Sequence, residues 1–181
     1  MPTVLALSGS LRRDSLNTAL LRSIADALAP EVQLTIHDYA AVPLFNSDAP
    51  PSDAVAALKA AITAADAVVI ATPEFNHSVP GVLKNALDHA SRPAFRSPFA
   101  GKPTGVVSAS PGVLGGVRAQ THLKTVLLGM GAPVFPGREL VVGKAHEKVS
   151  DGRVIDVSTL RHVAAFADGF VRWALQMHTE D

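Results

Sequence analysis

Short apolar runs alternate along the chain with segments in which apolar residues recur every three or four positions, a pattern typical of strands and helices in turn. Predicted strands cover Thr3–Leu7, Val32–His37, Asp66–Ala71, Thr104–Ser108 and one interrupted segment, Ala132–Phe135 with Glu139–Val142. Predicted helices cover Leu16–Leu28, Ser52–Ala65, Pro80–Ser91, Gly116–Gly129 and Val157–Met177. This alternation predicts an α/β fold with a mainly parallel sheet, and it leaves Pro43–Pro51 and Gly143–Asp156 as the two long loops.

Length and composition narrow the class of protein. The chain of 181 residues fits one domain over residues 1–181, with 48% hydrophobic residues to fill its core. Sixteen Lys and Arg residues balance sixteen Asp and Glu residues, so bulk charge favours neither nucleic acid nor an anionic membrane. No apolar run approaches the roughly 18 residues of a membrane helix. With no cysteine for disulfides or thiolate chemistry, we expect a cytoplasmic protein.

The first candidate site is the segment Ser8–Asn17, which joins a predicted strand to a predicted helix. Backbone N–H groups at a helix start have no intrahelical partner, and the helix dipole adds positive charge there. Arg12 adds charged donors, and Ser10, Ser15 and Asn17 add neutral ones, so the segment predicts a phosphate site. It has neither the lysine of a Walker loop nor the glycines of GxGxxG. A plain helix cap is the alternative.

The second candidate site is the segment Thr72–Gly81, which follows the central predicted strand. We expect Glu74, Phe75, Asn76 and His77 to stand in the crevice at the sheet edge. A flat aromatic side chain beside an amide and free backbone N–H groups suits a planar heterocycle with polar edges. A proline-bounded turn with a helix cap is the alternative interpretation. On the helix that follows, Lys84 and Asp88 are one turn apart and predict a surface ion pair.

The third candidate site is the glycine-rich segment Ser108–Gly116, whose small residues allow close approach of the backbone to a ligand. It loosely resembles a hydrolase nucleophile turn around Ser110. However, Pro111 lacks the N–H that the residue after such a nucleophile normally supplies. A simple glycine-rich turn is the alternative. The seven histidines show no metal-binding spacing, so no metal site is predicted.

Three motifs together resemble the NADPH-dependent FMN reductase family, which includes quinone, chromate and azo-dye reductases. The motifs are Gly9-Ser10-Leu11-Arg12 with Ser15 and Asn17, the block Pro73–Asp88, and Gly115-Gly116-Val117-Arg118-Ala119-Gln120 with Leu123. The resemblance implies a flavodoxin-like three-layer sandwich: a five-stranded parallel sheet of order 2-1-3-4-5 with helices on both faces. It also implies a homodimer or homotetramer. The family's usual tyrosine is Phe75 here, and its usual tryptophan after Asp88 is His89.

The resemblance also implies which residues hold FMN. The phosphate would be bound by Ser10, Arg12, Ser15, Leu16 and Asn17. The isoalloxazine ring would lie against Pro73, Glu74, Phe75, Asn76 and His77, with the segment 108–116, including Ser108, Ser110 and Gly115, nearby. Backbone N–H groups near residues 75–77 and 110–112 would stabilise the reduced ring. We name no catalytic side chain, because Glu74 is better explained as structural.

The implied activity is transfer of two electrons from NADPH or NADH, through bound FMN, to a small-molecule acceptor such as a quinone, azo compound, chromate or free flavin. The rival hypothesis is a flavodoxin-like electron carrier, although such carriers are usually strongly acidic and this chain is neutral. A regulatory anion-binding domain is a third hypothesis. A phosphatase of this size and fold would need a cysteine nucleophile, which the chain lacks.

Overall fold

The structure, a computed structural model, describes residues 1–177. Its strands are β1 (Thr3–Ser8), β2 (Gln33–Ile36), β3 (Ala67–Thr72), β4 (Thr104–Ala109), β5 (Leu140–Val142), β6 (Val149–Ser150) and β7 (Arg153–Val154). Its helices are α1 (Leu16–Ala27), α2 (Asp53–Ala64), α3 (Gly81–Ala90), α4 (Val117–Gly129) and α5 (Val157–Met177). The predicted helices are therefore confirmed, with differences only at their ends.

Five of the strands form one parallel sheet in the order β2-β1-β3-β4-β5, which confirms the predicted flavodoxin-like topology. β3 is central and every one of its residues is buried, which explains the unbroken apolar run from Ala67 to Ala71. β2 is an edge strand, and its half-exposed, alternating pattern follows from that position.

Helices cover both faces of the sheet, as predicted. On one face α1 and α5 pack against strand residues such as Val4, Val69 and Val107. On the other face α2, α3 and α4 pack against the alternate residues, such as Leu5 and Val68. Because side chains alternate along a strand, two separate apolar cores form from one sheet.

Two regions differ from the sequence-based prediction. The segment Ala132–Phe135 is not a strand: Val134 makes only an isolated bridge to Thr104, and Pro133 has no N–H to continue a ladder. The predicted loop Gly143–Asp156 contains a 3-10 turn (Ala145–Glu147) and the antiparallel pair β6–β7. Asp151 and Gly152 take positive φ angles between these two strands, the conformation that a tight hairpin turn needs.

Candidate functional site

Three loops meet at the carboxyl edge of the sheet, because β1, β3 and β4 are neighbours there. They are the predicted segments that follow these strands. The first two are in close contact: the Gly9 N–H donates to Ala71 O at 2.7 Å, and a Cβ on Gly9 would lie 3.0 Å from Pro73 Cδ. A Cβ on Gly116, in the third loop, would lie 2.9 Å from Ser108 Cβ and 3.5 Å from Thr72 O. A side chain at Gly116 would therefore clash, and one at Gly9 would require Pro73 to shift.

The first loop presents backbone donors at the start of α1. Ser15 caps the helix, since its Oγ accepts the Thr18 N–H at 3.2 Å. The first backbone bond of the helix runs from the Ala19 N–H to Ser15 O, so the N–H groups of Leu16 and Asn17 precede it. Arg12 is exposed, and within residues 1–177 it forms no ion pair. Ser10 Oγ accepts the Arg12 N–H at 3.4 Å.

The Asn17 side chain does not face this site, contrary to the prediction that it supplies a donor there. It is 2% exposed. Its amide nitrogen donates to Ala109 O at 2.9 Å, and its amide oxygen accepts the Ala109 N–H at 3.0 Å. The side chain therefore fastens the start of α1 to the end of β4, and only its backbone N–H remains as a donor toward the loop.

A buried polar network lies directly beneath the first loop. Tyr39 donates its hydroxyl hydrogen to Ser8 O, and Thr18 Oγ1 donates to Ser8 Oγ at 2.8 Å. Ser8 Oγ in turn donates to Ser10 O at 3.2 Å. Burial, and secondarily the negative charge of Asp38, raises the pKa of Tyr39 well above its ordinary value. The phenol therefore remains a hydrogen-bond donor at neutral pH.

The second loop is a tight turn with unusual backbone angles. Phe75 and Ser78 exchange two backbone hydrogen bonds, of 2.9 and 3.0 Å, around Asn76 and His77. These central residues have φ of 49° and 65°, a left-handed conformation that costs non-glycine residues about 1–2 kcal/mol each. Asn76 and His77 are exposed, as is the Phe75 ring, and Pro73 is half-buried at the base of the turn.

The first two turns of α4 hold this turn in place. Glu74, with a side chain only 14% exposed, accepts the Arg118 N–H at 3.1 Å and the Arg118 guanidinium at 3.3 Å. The same guanidinium lies 2.7 Å from His77 Nδ1, and His122 Nδ1 lies 3.0 Å from Ser78 Oγ. Glu74 is thus engaged structurally. Arg118 and His122 were not predicted as site residues, since their partners are 44 positions away in the sequence.

The third loop differs most from the prediction. Ser108 is fully buried, with its Oγ accepting from Gln120 at 2.8 Å, so it supports the loop from beneath instead of facing a ligand. The predicted donors at residues 110–112 are engaged: the Ser110 N–H donates to Val142 O at 3.1 Å and the Gly112 N–H to Ser110 Oγ at 3.1 Å. Gly115 is also buried, and a Cβ there would lie 2.6 Å from Val141 Cγ1. This loop is therefore packed onto the end of β5.

Comparison with known proteins decides the family. Residues 2–147 match the model of the NADPH-dependent FMN reductase family. The chain belongs to this family. It is 37% identical over 175 residues to a quinone reductase of Pseudomonas putida, covering 94% of each chain. It is 40% identical over 159 residues to an NAD(P)H-dependent FMN reductase of Pseudomonas aeruginosa, covering 84% of each.

A solved structure agrees with this assignment. The flavoenzyme FerB, an NAD(P)H:(acceptor) oxidoreductase from Paracoccus denitrificans, superposes with a TM-score of 0.89 at 36% identity. The match covers 98% of this chain and 99% of FerB. An azoreductase from Bacillus anthracis, 18% identical with a TM-score of 0.62, shares the fold. Membership makes the chain an oxidoreductase of a family that uses FMN and NAD(P)H.

The residues at the sheet edge fit FMN. Arg12 and the N–H groups of Leu16 and Asn17 are the donors that a phosphate requires. In the second loop, the N–H groups of Asn76 and His77 lie outside the two bonds between Phe75 and Ser78, and they suit the polar edge of a planar ring. The third loop can border the ligand but offers few hydrogen-bond donors, since its N–H groups at Ser110 and Gly112 already bond within the protein.

Neither a metal centre nor a membrane segment is found in the part of the chain that the structure describes. Over residues 1–177 no cluster of three or more His, Asp or Glu side chains could hold a metal ion. Over the same residues no helix has both the length and the apolar character needed to cross a membrane.

The predicted ion pair of Lys84 and Asp88 is present at 2.7 Å, with both side chains nearly half-exposed.

Proposed function

We propose that this protein is an FMN-dependent NAD(P)H oxidoreductase that reduces quinones and related planar acceptors by a ping-pong sequence. Bound FMN supplies the redox chemistry by taking two electrons from NAD(P)H and giving them to the acceptor. The observation that carries the proposal is the pairing of phosphate donors in the first loop with the exposed Phe75–Ser78 turn in the second. These two features lie on adjacent strands of one sheet edge.

The protein residues bind and orient in this proposal, and none is assigned a covalent step. Arg12, with Ser10, Ser15, Leu16 and Asn17, would hold the phosphate; for Asn17 the donor is the backbone N–H. The residues Pro73, Phe75, Asn76 and His77 would border the ring. Glu74 and Arg118 would keep the turn in its left-handed conformation, since both oxygens of Glu74 accept from Arg118. Ser110 would border the site only through its loop.

The surface around the loops supports a planar, apolar acceptor. Exposed apolar side chains come from all three loops: Leu11, Phe75, Val113 and Leu114. Exposed apolar side chains on loops that border a site suit the binding of flat hydrophobic molecules. The names of relatives in Pseudomonas putida and Escherichia coli, both quinone reductases, support quinones as acceptors. Azo compounds, chromate and free flavin are further candidate acceptors.

We also propose a homodimer or homotetramer in the cytoplasm, where NAD(P)H is available. Leu44, Phe45 and Phe95 are exposed apolar side chains, and the Phe45 N–H donates to Asn85 Oδ1 of α3 at 2.8 Å. His89, which replaces the family's usual tryptophan, has its Nε2 2.9 Å from Pro43 O and its ring against that of Phe45. These contacts hold the loop segment 43–45, which carries Leu44 and Phe45, in a defined position. Analytical ultracentrifugation of the purified protein tests this, and a monomer at micromolar concentration would contradict it.

The test of function is a visible spectrum of the purified protein, followed by anaerobic addition of NADPH or NADH. We expect flavin absorbance that is bleached by NAD(P)H and restored by a quinone. A flavin-loaded protein that is inert to NAD(P)H would be an electron carrier. A colourless protein that takes up no FMN would be an anion-binding domain. Arg12→Ala is the matched variant, because it should lower FMN occupancy without changing the fold.

A further inference from the structure

We propose that Tyr39 is a positioning residue for the phosphate loop: from outside the loop, it fixes the backbone at Ser8 so that the donors of residues 10–17 are set for phosphate. This proposal rests on the proposed FMN site. Tyr39 follows β2 and is remote in sequence from the three loops at the sheet edge. None of the sequence motifs includes it.

Ser8 is the last residue of β1 and the point from which the loop departs. Its carbonyl oxygen accepts the Tyr39 hydroxyl. Its own hydroxyl accepts from Thr18 Oγ1 at 2.8 Å and donates to Ser10 O at 3.2 Å. Three parts of the chain therefore converge on Ser8: the segment after β2, the first turn of α1, and the loop itself.

The anchoring bond is buried while the donors it positions are accessible. Tyr39 is 3% exposed and Ser8 is 7% exposed, whereas Arg12 is exposed. All three residues, together with Ser10 and Thr18, line one cleft of about 270 Å³ beside the loop. Because burial holds the pKa of Tyr39 well above its ordinary value, the phenol is a permanent donor at physiological pH. The bond to Ser8 thus constrains the loop before any ligand arrives.

A tyrosine that only filled the core would affect folding but would not discriminate between flavins. A tyrosine that positions the phosphate loop affects FMN and leaves riboflavin, which lacks the phosphate, unaffected. The ratio of the two dissociation constants therefore separates the two roles. If the bond from Tyr39 to Ser8 is lost, FMN affinity should fall by about as much as the loss of one neutral hydrogen bond would cause, about three- to tenfold.

The experiment compares Tyr39→Phe with the wild-type protein by fluorescence titration of apoprotein with FMN and with riboflavin. We expect FMN affinity to fall about three- to tenfold and riboflavin affinity to change less than about twofold. Ser97→Ala is the matched control. This buried hydroxyl bonds Ala90 O and the Phe99 N–H away from the three loops, so its removal should leave the ratio unchanged.

A second pair of variants tests the same network if Tyr39→Phe folds poorly. Thr18→Val removes the donor to Ser8 Oγ and should shift the ratio in the same direction, while Thr18→Ser, which keeps the hydroxyl, should restore it. Equal losses for FMN and riboflavin, or no loss in either variant, would overturn the proposal while leaving the flavin site intact. A wild-type protein that binds neither flavin would overturn the proposed function as well.

Discussion

Asn17 offers a sharp test of whether a polar residue near the loops stabilises the fold or binds the ligand. Its side chain makes two hydrogen bonds to the backbone of Ala109, at 2.9 and 3.0 Å, in a fully buried position. Asn17→Ala removes both bonds and leaves a buried N–H and a buried carbonyl oxygen without a partner. Each such orphaned group costs about 1–3 kcal/mol, so the free energy of unfolding should fall by about 2–6 kcal/mol.

The assay is urea denaturation of the apoprotein, in which the loss should lower the midpoint by about 1–3 M at a slope of about 2 kcal/mol/M. Asn46→Ala is the control, since Asn46 is exposed and its bond to the Asp48 N–H lies at the surface. We expect the control to change stability by less than about 0.5 kcal/mol. If Asn17→Ala left the apoprotein unchanged and lowered only FMN affinity, the side chain would be a ligand contact and our interpretation of the structure would be wrong.

Three further predictions concern the loops and their support. Arg12→Ala should weaken FMN binding about 10- to 100-fold through loss of a charged hydrogen bond, with riboflavin as the control ligand; equal losses for both would refute the phosphate assignment. Gly116→Ala, at φ 94° with a Cβ 2.9 Å from Ser108 Cβ, should destabilise the apoprotein by at least about 1–2 kcal/mol, whereas Gly81→Ala meets open space and should not. Tyr39, the single tyrosine, should ionise above its ordinary pKa in an ultraviolet titration. The unfolded chain loses that proton near pH 10, so stability should be unaffected below about pH 10 and fall as pH rises further.

Most strands and helices of the main sheet were predictable because the underlying signals are strong and local, whereas the strand order followed only from the family resemblance. The six residues of β3 are all buried, and the amphipathic spacing of α1 recurs over twelve residues. The segment Ala132–Phe135 was misassigned because its apolar composition outweighed Pro133, which cannot donate to a ladder. The hairpin of β6 and β7 was missed although Asp151-Gly152 is a recognised turn signal, since each strand is only two residues long.

The location of the site was predictable, but the direction of its side chains was not. Strand order alone brings the three loops to one edge. Asn17, by contrast, bonds a residue 92 positions away, and Glu74 bonds one 44 positions away. No local sequence pattern predicts such partners. A polar side chain at a strand–helix junction can satisfy its hydrogen bonds equally well with a ligand or with a neighbouring backbone. Ser108 illustrates this, since its hydroxyl turns inward to Gln120.

The hydrogen bonds that point away from the ligand support the site indirectly, because they hold the three loops in place. Each loop is held by side chains from outside it: the first by Tyr39 and Thr18, and the second and third by two residues of α4, Arg118 and, through Ser108, Gln120. The loops that would touch FMN therefore need little ordering when it binds. Binding free energy that would otherwise be lost to ordering is retained as affinity. A weakened support should consequently lower ligand affinity even where no ligand contact is removed, although by less than the loss of a direct charged contact such as that of Arg12.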